Sequence, residues 1–438
     1  MAGWANRILR MKNALMVLKE RGFINQVSDE KLYDLFDEEE VKCYIGFDPS
    51  AVSLHVGNLF VMMSLAHIQR SGHHAIALIG GGTGMIGDPS GKSEERVLLE
   101  QEDLARNVEG IGSQLKEILK PDDPQVGSLT PMNNADWLSK FGFIEFLRDI
   151  GKHFRVSEML AKESVKRRME SGEGISFTEF SYMLLQSSDF LHLFTEHNCI
   201  AQFGGSDQWG NITAGIDLIR RVTGESAYAV TFPLITTATG QKLGKTEEGA
   251  VYLDAGLTSP YEFYQYWINT DDRDVVKYLK WFTFLPLPEI DRLAELTETE
   301  PEKREAHRTL AYEVTKFIHG KEQADIAVKT SEVLFGQEIS DVSDEMLESI
   351  FRDVPSTERP WKEVESGMAI VDAMVQCEMT KGKSAARRLI NGGGVYLNNK
   401  RVTDVEYVIT KKSLASAHTA VLRTGKKNYH LLKFVSTG

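Results

Sequence analysis

The first βαβ pattern lies within residues 42–79 of the chain. The segment Lys42–Phe47 (KCYIGF) is rich in β-forming residues and stops at Asp48-Pro49-Ser50, which predicts a strand followed by a turn. Over 59–70 apolar residues recur at helical spacing, and His74–Ile79 (HAIALI) is an apolar run of strand length. Strand, helix and strand at these lengths predict a parallel sheet with a nucleotide-binding crevice at the carboxyl ends of its strands.

Further elements follow from the patterns elsewhere. Residues 12–40 predict one or two short amphipathic helices, and 200–203 predict a strand that leads into a glycine-rich turn. From Ser259 to about Gly336 the chain is rich in aromatic and charged residues at helical spacing, which predicts an all-α domain. Acidic residues and two prolines over 338–361 indicate a linker. The remainder alternates in short stretches such as GVYLNNKRV, which predicts a small α+β module.

Charge is distributed unevenly along the chain. The 438 residues carry 50 Lys and Arg against 63 Asp and Glu, a net charge of −13, and the length predicts two to four domains. The composition, 42% hydrophobic and 26% charged, is that of a globular protein, and no apolar run is long enough for a membrane span. From Trp361 onward 13 basic residues face 6 acidic ones, a net of +7, which leaves −20 for residues 1–360. An acidic body with a basic end is a pattern that needs an explanation and that the average net charge conceals.

The cysteines and the start of the chain bear on its compartment. Cys43, Cys199 and Cys377 are far apart and form no CxxC pair, so a disulfide scaffold or a zinc ribbon is excluded and a reducing compartment is expected. The basic start MAGWANRILRMK has some character of a transit segment but lacks the usual length and serine content. We therefore expect a cytoplasmic protein, with the organellar matrix as the alternative.

A glycine-rich segment over 87–93 (GDPSGKS) resembles a P-loop incompletely. Its two glycines are separated by three residues where the P-loop needs four, and Asp88 would place a negative charge among phosphates. We interpret it as a glycine-rich turn, with Lys92 and Arg96 available to a phosphate.

Two short motifs carry the stronger chemical signal. His55-Val56-Gly57-Asn58 (HVGN) stands at the predicted start of a helix, where free backbone N–H groups and the helix dipole attract phosphate. Alone, this motif is better explained as an ordinary helix cap or a surface residue. The segment 239–246 (TGQKLGKT), which contains Lys242 and Lys245, would alone be interpreted as a solvated loop. Together, in this order and in an α/β domain, they resemble HIGH and KMSKS, the two signatures of class I aminoacyl-tRNA synthetases. Gly244 stands where the general motif has serine, and we expect a more flexible loop.

Longer segments narrow the resemblance. YIGFDPS over 44–50, GISFTEFSYMLLQSSDF over 174–190 and GGSDQWGN over 204–211, together with GDPSGK, resemble the tyrosyl-tRNA synthetases of the bacterial and organellar type. The basic segment KSAARRLINGGGVYLNNKRV is similar to an S4 RNA-binding module. The resemblance covers essentially the whole chain. It implies an α/β fold, with a Rossmann-like parallel-sheet catalytic domain, an all-α domain and a small α+β S4-like domain.

The resemblance also implies domain boundaries. These are a catalytic domain with a dimerisation insertion over 1–235, a signature loop and linker over 236–258, a helical anticodon-region domain over 259–336, a linker over 337–368 and the S4-like domain over 369–438.

A tyrosine pocket is implied by the same resemblance. Tyr182, Gln186 and Asp189 are spaced to share one helix face, which by itself indicates polar packing more readily than a site. By resemblance, Tyr44 and Asp189 bind the phenolic hydroxyl, since a phenol needs both a donor and an acceptor. The remaining pocket residues hold the ammonium (Tyr182, Asp88, Gln186), lie near the carboxylate (Gln208) or line the floor (Gly46, Asp48).

The resemblance assigns ATP to the other end of the site. By resemblance, His55, Gly57 and Asn58 bind the phosphate and ribose region. Ser50 lies on the γ-phosphate side, and Gly205 and Asp207 contact the adenosine ribose. The loop residues Lys242, Lys245 and Thr246 are expected to close on the leaving pyrophosphate, assisted by Lys92 and Arg96. Mg²⁺ is expected to arrive with ATP, without a dedicated protein metal site.

The expected macromolecular partners are tRNA(Tyr) and a second copy of the chain. The basic end offers Arg387, Arg388, Lys400, Arg401, Arg423, Lys426, Lys427 and Lys433. By charge alone these residues are equally consistent with a solvated basic face; the S4 resemblance favours RNA phosphates. The apolar segment 133–154 is either interior packing or part of a homodimer interface. No membrane contact is expected.

Two rival functions remain open. One is a synthetase-derived RNA-binding or splicing protein without activity, which would be expected to have damaged signature motifs. The other is a tryptophan enzyme, which an acid beside Tyr44 disfavours because a carboxylate beside a hydroxyl suits a phenol better than an indole.

Overall fold

The structure is a computed structural model that describes residues 13–90, 99–120, 127–170, 174–246, 249–340, 342–351, 354–425 and 428–435. Lys92, Arg96, Lys426 and Lys427 lie outside these ranges. The chain divides into two compact units, the first formed by Met1–Ser259 with Tyr266–Ile318 and the second by Pro260–Gln265 with His319–Gly438.

A six-stranded sheet forms the centre of the first unit. Its strands are β1 (Gln26–Val27), β2 (Lys42–Phe47), β3 (His74–Ile79), β4 (Leu129–Asn133), β5 (Ala201–Gly205) and β6 (Tyr228–Phe232). They are ordered β1-β6-β5-β2-β3-β4, and every pair is parallel except β1 with β6. The chain order reverses at β2, which lies between β3 and β5. Parallel sheets bind ligands at the carboxyl ends of the strands beside such a reversal.

The helices of the first unit follow the strands in a doubly wound manner. They are α1 (Ala14–Glu20), α2 (Lys31–Glu38), α3 (Val56–Arg70), α4 (Gln101–Leu119), α5 (Ala135–Leu138), α6 (Phe143–Asp149), α7 (Val156–Leu160), α8 (Glu163–Glu170), α9 (Phe177–His197), α10 (Trp209–Thr223), α11 (Pro260–Ile268, of which 260–265 belong to the second unit), α12 (Asp272–Phe282) and α13 (Leu287–Thr299). A two-stranded hairpin of β7 (Lys245–Thr246) and β8 (Gly249–Ala250) follows the sheet. The helix α14 (Glu305–Leu334) continues into the second unit and is interrupted at Gly320, whose φ is +84°.

The predicted βαβ unit is confirmed. β2 and β3 have the predicted bounds, while α3 begins three residues before the apolar periodicity does, at Val56, because the polar residue His55 serves as its N-cap. The core beside β2 packs aromatic and aliphatic side chains of the sheet against α9, including Tyr44, Phe190 and Leu193. This packing fixes the residues of α9 that face the sheet.

The second unit contains its own sheet and core. Its remaining helices are α15 (Asp344–Ile350), α16 (Trp361–Ser366), α17 (Ile370–Gln376) and α18 (Lys383–Asn391). Its strands are β9 (Ser356–Pro360), β10 (Met368–Ala369), β11 (Val395–Leu397), β12 (Lys400–Arg401), β13 (Val408–Ile409), β14 (Thr419–Thr424) and β15 (Asn428–Val435). A five-stranded sheet is ordered β12-β11-β14-β15-β9. The α+β character predicted for the basic end is confirmed.

The prediction of a linker over 337–368 is wrong for most of its length. β9 pairs in parallel with β15, from Ser356 opposite Leu431 to Pro360 opposite Val435, so this segment is an edge strand of the C-terminal sheet. Residues of α15 pack in the same core as Tyr429 and Leu431. Pro360 is compatible with an edge strand because its missing N–H can face away from the ladder, so prolines and acids here did not signal a linker.

Candidate active site

The HVGN motif begins helix α3 at the carboxyl end of the sheet. His55 is the N-cap residue, with extended backbone angles of φ −121° and ψ 172°. Its backbone N–H donates to the Asn58 side-chain oxygen at 3.1 Å, so the amide that replaces the last histidine of HIGH caps the helix. The 15-residue helix directs the positive end of its dipole at this position. This arrangement suits an anionic ligand such as a phosphate.

The KLGKT motif lies directly against the HVGN motif. Gly244 has a φ of +78°, and a Cβ atom added to it would lie 2.8 Å from the backbone nitrogen of Gly57. The segment after the loop pairs with the same helix start, since Val56 N–H donates to the Val251 carbonyl at 2.9 Å. The two signatures, predicted from resemblance alone, therefore meet in space.

The loop before Gly244 is a hydrogen-bonded turn. Gly240 N–H donates to the Thr237 carbonyl at 2.8 Å, and Thr236 and Lys242 form an isolated β-bridge. Lys242 is exposed, whereas Leu243 and Gly244 are buried. The structure thus gives Gly244 a specific positive-φ contact, where sequence alone suggested only added flexibility. Lys245 and Thr246 lie in β7, and the described part of the structure does not include their side chains.

Tyr44 and Asp189 are a buried pair of polar side chains that interact electrostatically. Tyr44, on β2, is 1% exposed, and its hydroxyl has no hydrogen-bond partner among the described residues. Burial raises its pKa well above the usual value, and the charge of Asp189 raises it further. Asp189, on α9, is 2% exposed, and burial raises its pKa to about 7. A buried hydroxyl without a partner beside a buried carboxylate is the donor and acceptor pair that a phenol requires.

Two residues that sequence reasoning missed hold the Asp189 carboxylate. Asn134 donates its side-chain amide N–H to one oxygen at 2.8 Å, and Trp137 donates its indole N–H to the other at 2.8 Å. These hydrogen bonds lower the pKa of Asp189 against the larger effect of burial. Asn134 follows β4 directly and Trp137 lies in α5. The only sequence signal for them was the pair Asn133 and Asn134 at the end of β4. This pair lies in the segment 133–154, for which the sequence indicates interior packing or a dimer interface.

The middle of the pocket is open above the sheet. Gly46, two residues after Tyr44 on the same face of β2, is exposed although β2 is a central strand. A Cβ atom on Gly46 would meet nothing within 4 Å. Since any side chain here would project into this space, Gly46 fits the predicted role of a pocket floor. Asp48, the other predicted floor residue, is half-buried at the end of the strand.

Carboxylates surround the next predicted pocket residue, Tyr182. Its pKa is raised well above normal by burial and by the charges of Asp48, Asp88 and Asp189, and a hydrogen bond with Thr83 opposes this. The negative charges of Asp48 and Asp88 make the surroundings of Tyr182 suitable for a cation such as an ammonium group.

Gln208 and Gln186 complete the same polar cluster. The Gln208 amide donates to the Asp88 carboxylate at 2.6 Å, and the Asn211 amide donates to the Gln186 side-chain oxygen at 3.0 Å. Asn211 also donates to the Ser90 hydroxyl at 3.2 Å. The structure therefore brings together Asp88, Gln186 and Gln208, and adds Asn211, which sequence reasoning did not single out.

The predicted ribose and γ-phosphate residues occupy strand ends. Gly205 ends β5, and Asp207 follows it, exposed, with a side-chain oxygen that accepts from the Gln208 amide at 3.2 Å. Ser50 is exposed in the turn after β2. These positions lie at the carboxyl edge of adjacent strands, where the parallel sheet places its crevice.

The basic residues of the second unit lie on α18 and the sheet edge. Arg387, Arg388, Lys400 and Arg401 are exposed. The Arg401 guanidinium donates to the Tyr396 hydroxyl at 3.1 Å, and the Arg423 guanidinium lies 3.8 Å from the centre of the Tyr396 ring. Lys433 instead pairs with Glu348 at 2.5 Å.

No group of three His, Cys, Asp or Glu side chains in the described residues is arranged to hold a metal ion. Within the same residues, no helix has the length and apolar character needed to cross a bilayer.

Family models match most of the chain. The model for class I tRNA synthetases of the tryptophan and tyrosine type matches residues 37–336, and the model for the C-terminal domain of tyrosine–tRNA ligases matches 346–432. The chain belongs to the class I aminoacyl-tRNA synthetases. Its relatives place it, within that class, in the tyrosyl-tRNA synthetase family.

The relatives match over nearly their full length. The chain is 50% identical to a tyrosine–tRNA ligase of Roseiflexus castenholzii, covering 97% of this chain and 100% of the relative. It is 49% identical to that of Bacillus velezensis over the same shares of both chains. Among solved structures, a C-terminally truncated mitochondrial tyrosyl-tRNA synthetase of Aspergillus nidulans aligns with a TM-score of 0.69 and 34% identity, covering 76% of this chain and 99% of that one.

Proposed function

We propose that the chain is a tyrosine–tRNA ligase that attaches L-tyrosine to tRNA(Tyr) in two steps. The observation that carries the proposal is the buried pair formed by the Tyr44 hydroxyl, which has no partner among the described residues, and the Asp189 carboxylate. Tyrosine is the amino acid whose side chain ends in a group that satisfies both. Phenylalanine would leave the buried Tyr44 hydroxyl without a partner, which costs about 1–3 kcal/mol.

The proposed reaction begins with ATP. An oxygen of the tyrosine carboxylate attacks the α-phosphorus, the bond to the β-phosphate oxygen breaks, and pyrophosphate leaves with its electron pair. A ribose hydroxyl at the tRNA 3′ end then attacks the carbonyl of the adenylate, and AMP leaves. Neither step needs a nucleophilic side chain, so the protein acts through positioning and stabilisation of charge.

Named groups of the chain support these roles. The start of α3, with His55, Gly57 and Asn58, is proposed to receive the ATP phosphates, and Ser50 the γ-phosphate side. Lys242, Lys245 and Thr246 are proposed to neutralise pyrophosphate, together with Lys92 and Arg96 from outside the described residues. Gly205 and Asp207 are proposed to hold the ribose. Mg²⁺ bound to ATP would add positive charge at the same phosphates.

The tyrosine end is proposed to hold its substrate by three contacts. Asp88, Tyr182 and Gln186 bind the ammonium group, because this end of the pocket is surrounded by carboxylates. Gln208 lies beside Asp88 and binds near the substrate carboxylate. Gly46 leaves room for the aromatic ring.

The proposed assembly is a homodimer. In the segment predicted to be an interface or interior packing, Phe143 is 67% and Ile144 is 75% exposed. Phe177, at the start of α9, is 70% exposed. Large apolar side chains at this exposure favour an interface over interior packing. We also propose the cytoplasm, which the three free, buried cysteines support.

The proposed tRNA arm is the second unit. Arg387, Arg388, Lys400 and Arg401, with Lys426 and Lys427 outside the described residues, would contact RNA phosphates. Their exposure on one helix and one edge strand supports this role.

Tyrosine-dependent exchange of pyrophosphate into ATP, measured without tRNA, tests the proposed function. We expect exchange with tyrosine and at most a trace with phenylalanine or tryptophan at equal concentration. Exchange with tryptophan instead would favour the rival amino acid. A folded sample without exchange for any of the three would favour a protein that has kept the fold and lost the reaction.

A further inference from the structure

The signature loop over 236–246 is attached to helices α11 and α12 by two hydrogen bonds. The Ala238 backbone N–H donates to the Asp274 carboxylate at 2.6 Å. The Gly244 backbone N–H donates to the Tyr266 hydroxyl at 3.0 Å. One attachment lies on each side of Lys242, so both flanks of the loop are held from the same pair of helices.

The first attachment has a rigid base. Asp274 is 2% exposed in the first turn of α12, and its second carboxylate oxygen is paired with Lys277 at 2.6 Å. A carboxylate held on both oxygens has little freedom to turn away from Ala238. Charge-assisted hydrogen bonds of this kind are about twice as strong as neutral ones.

The second attachment lies beside the first. Tyr266 is half-buried near the end of α11, and burial raises the pKa of its hydroxyl. The charge of Asp274 raises that pKa further, because the two side chains are neighbours. The hydroxyl therefore stays neutral and keeps accepting from Gly244 at ordinary pH.

These attachments act where the loop meets the phosphate end of the site. Gly244 packs on the backbone nitrogen of Gly57, and its carbonyl accepts from the Val251 N–H at 2.9 Å. The Gly244 N–H also donates to the Tyr266 hydroxyl. Because both backbone polar groups of Gly244 are bonded, the backbone at this residue is held against the start of α3.

We propose that Tyr266 and Asp274 are positioning residues that hold the signature loop against the start of α3 during adenylate formation. The inference rests on the proposed function for its kinetic consequence. Both residues bond to the loop itself, so their effect is expected on the step in which the loop lysines neutralise pyrophosphate. Losing one attachment lets the loop sample more backbone conformations and lowers the fraction of molecules ready for reaction.

The test compares four variants of the full chain. Tyr266→Phe removes only the hydroxyl, and Asp274→Ala removes the carboxylate. Asp274→Asn keeps an oxygen that accepts from Ala238, and so is the conservative rescue. Tyr407→Phe is the matched control, because it removes a hydroxyl that donates to Ser413 at 3.3 Å in the second unit.

Two measurements are made on each variant. Hydrogen exchange of peptides covering 236–246, without substrates, reports whether the loop is held. Tyrosine-dependent pyrophosphate exchange, with equilibrium dialysis of tyrosine, separates kcat from substrate binding.

We expect faster hydrogen exchange in the loop and a fall in kcat of about tenfold for Tyr266→Phe and Asp274→Ala. The Kd for tyrosine should stay within about twofold in every variant, and Tyr407→Phe should remain near the wild type in every measurement. Asp274→Asn keeps one acceptor oxygen but loses the charge and the pair with Lys277, so its loop exchange and kcat should lie between those of the wild type and Asp274→Ala. A general packing defect would instead weaken tyrosine binding as well.

Unchanged loop exchange in Tyr266→Phe and Asp274→Ala would overturn the inference, as would faster loop exchange with an unchanged kcat in an active enzyme. If the wild-type chain has no pyrophosphate exchange at all, the proposed function fails. The hydrogen-exchange comparison then decides separately whether these two side chains hold the loop.

Discussion

Gly244 touches Gly57 so closely that a Cβ atom on Gly244 would lie 2.8 Å from the Gly57 backbone nitrogen. The two glycines are far apart in sequence, one in each signature motif. A side chain at Gly244 would also have to adopt a φ of +78°, which glycine tolerates best. The absence of a side chain at both positions is what lets the loop backbone rest on the helix start.

Gly244→Ser, which restores the serine of the general motif, should therefore impair the reaction. We expect kcat for pyrophosphate exchange to fall at least about tenfold, because backbone strain and the contact with Gly57 each cost about 1 kcal/mol or more. Gly240→Ser is the matched control, since Gly240 has a φ of +81° but nothing within 4 Å of an added Cβ atom. Equal losses in both variants would show that strain alone, and not the contact between motifs, limits the loop.

Trp137→Phe should weaken tyrosine binding although Trp137 is not predicted to touch the substrate's reacting atoms. The variant keeps an aromatic ring and removes the indole N–H that lies 2.8 Å from Asp189. We expect the KM for tyrosine to rise by about five- to tenfold and kcat at saturation to change little. The control is His192→Phe. In the wild type the His192 ring stacks on Trp137 with the ring centroids 4.3 Å apart, and the variant keeps a ring there and leaves the hydrogen bond from Trp137 to Asp189 in place. A larger effect in the control would assign the role to the stack.

Stability should depend on pH through Asp189. Its folded-state pKa of about 7 lies above the ordinary 3.8, so the folded protein binds this proton more readily than the unfolded chain does. The favourable contribution is complete below the unfolded pKa and is lost as pH rises through the folded pKa. Compared with Asp189→Asn, which cannot titrate, the wild type should lose a few kcal/mol of unfolding free energy between about pH 4 and pH 8.

Urea unfolding of both proteins across this pH range, followed by tryptophan fluorescence, measures the difference. Asp207→Asn, at an exposed position, serves as the control and should track the wild type. A wild-type advantage that grew with pH would mean that the two donors outweigh burial and keep Asp189 ionised.

Arg387→Ala with Arg388→Ala should affect charging of tRNA and not adenylate formation. Both residues are exposed on α18 in the second unit. We expect a higher KM for tRNA and a salt dependence of binding that is shallower by about 1–2 in log–log slope. The double variant Lys19→Ala with Lys31→Ala removes the same charge from exposed positions on α1 and α2 and should leave both unchanged. An unaltered salt slope in the arginine variant would move the RNA contact elsewhere.

Ile144→Glu should convert the proposed dimer to monomers. Ile144 is 75% exposed on α6, beside Phe143, and a carboxylate in a buried apolar interface is costly. Analytical ultracentrifugation at micromolar concentration should give half the wild-type mass. Val222→Glu, at a 46% exposed position at the end of α10, should leave the mass unchanged. A wild type that is already monomeric would contradict the proposal directly.

Periodicity was a sufficient guide to the centre of the fold. β2 and β3 are continuous apolar strands with a turn signal or glycines after them, so their bounds followed from local sequence. The bounds of β9 did not follow from local sequence. Its residues, STERP, show no alternation of apolar and polar positions and few β-branched side chains, so only the pairing with β15 makes this segment a strand. Edge strands of this kind are set by tertiary contacts and carry little local signal.

The candidate site divides in a similar way. His55, Tyr44 and Asp189 belong to motifs that resemblance could identify, and the structure gives each a position that fits its predicted role. Asn134 and Trp137 follow the neighbouring strand β4, and their relation to Asp189 depends on strand order. Side chains that act through another side chain leave no spacing pattern, since they need to match only one partner.

The network around Asp189 also limits how such an enzyme could evolve toward a different amino acid. Asp189, Asn134 and Trp137 are each less than 10% exposed and satisfy one another. Replacing any one of them alone leaves a buried polar group unpaired, at about 1–3 kcal/mol. A change of the genetic code's tyrosine assignment through this pocket would require coordinated replacement of several positions, so the same contacts that hold one carboxylate protect the fidelity of translation against single mutations.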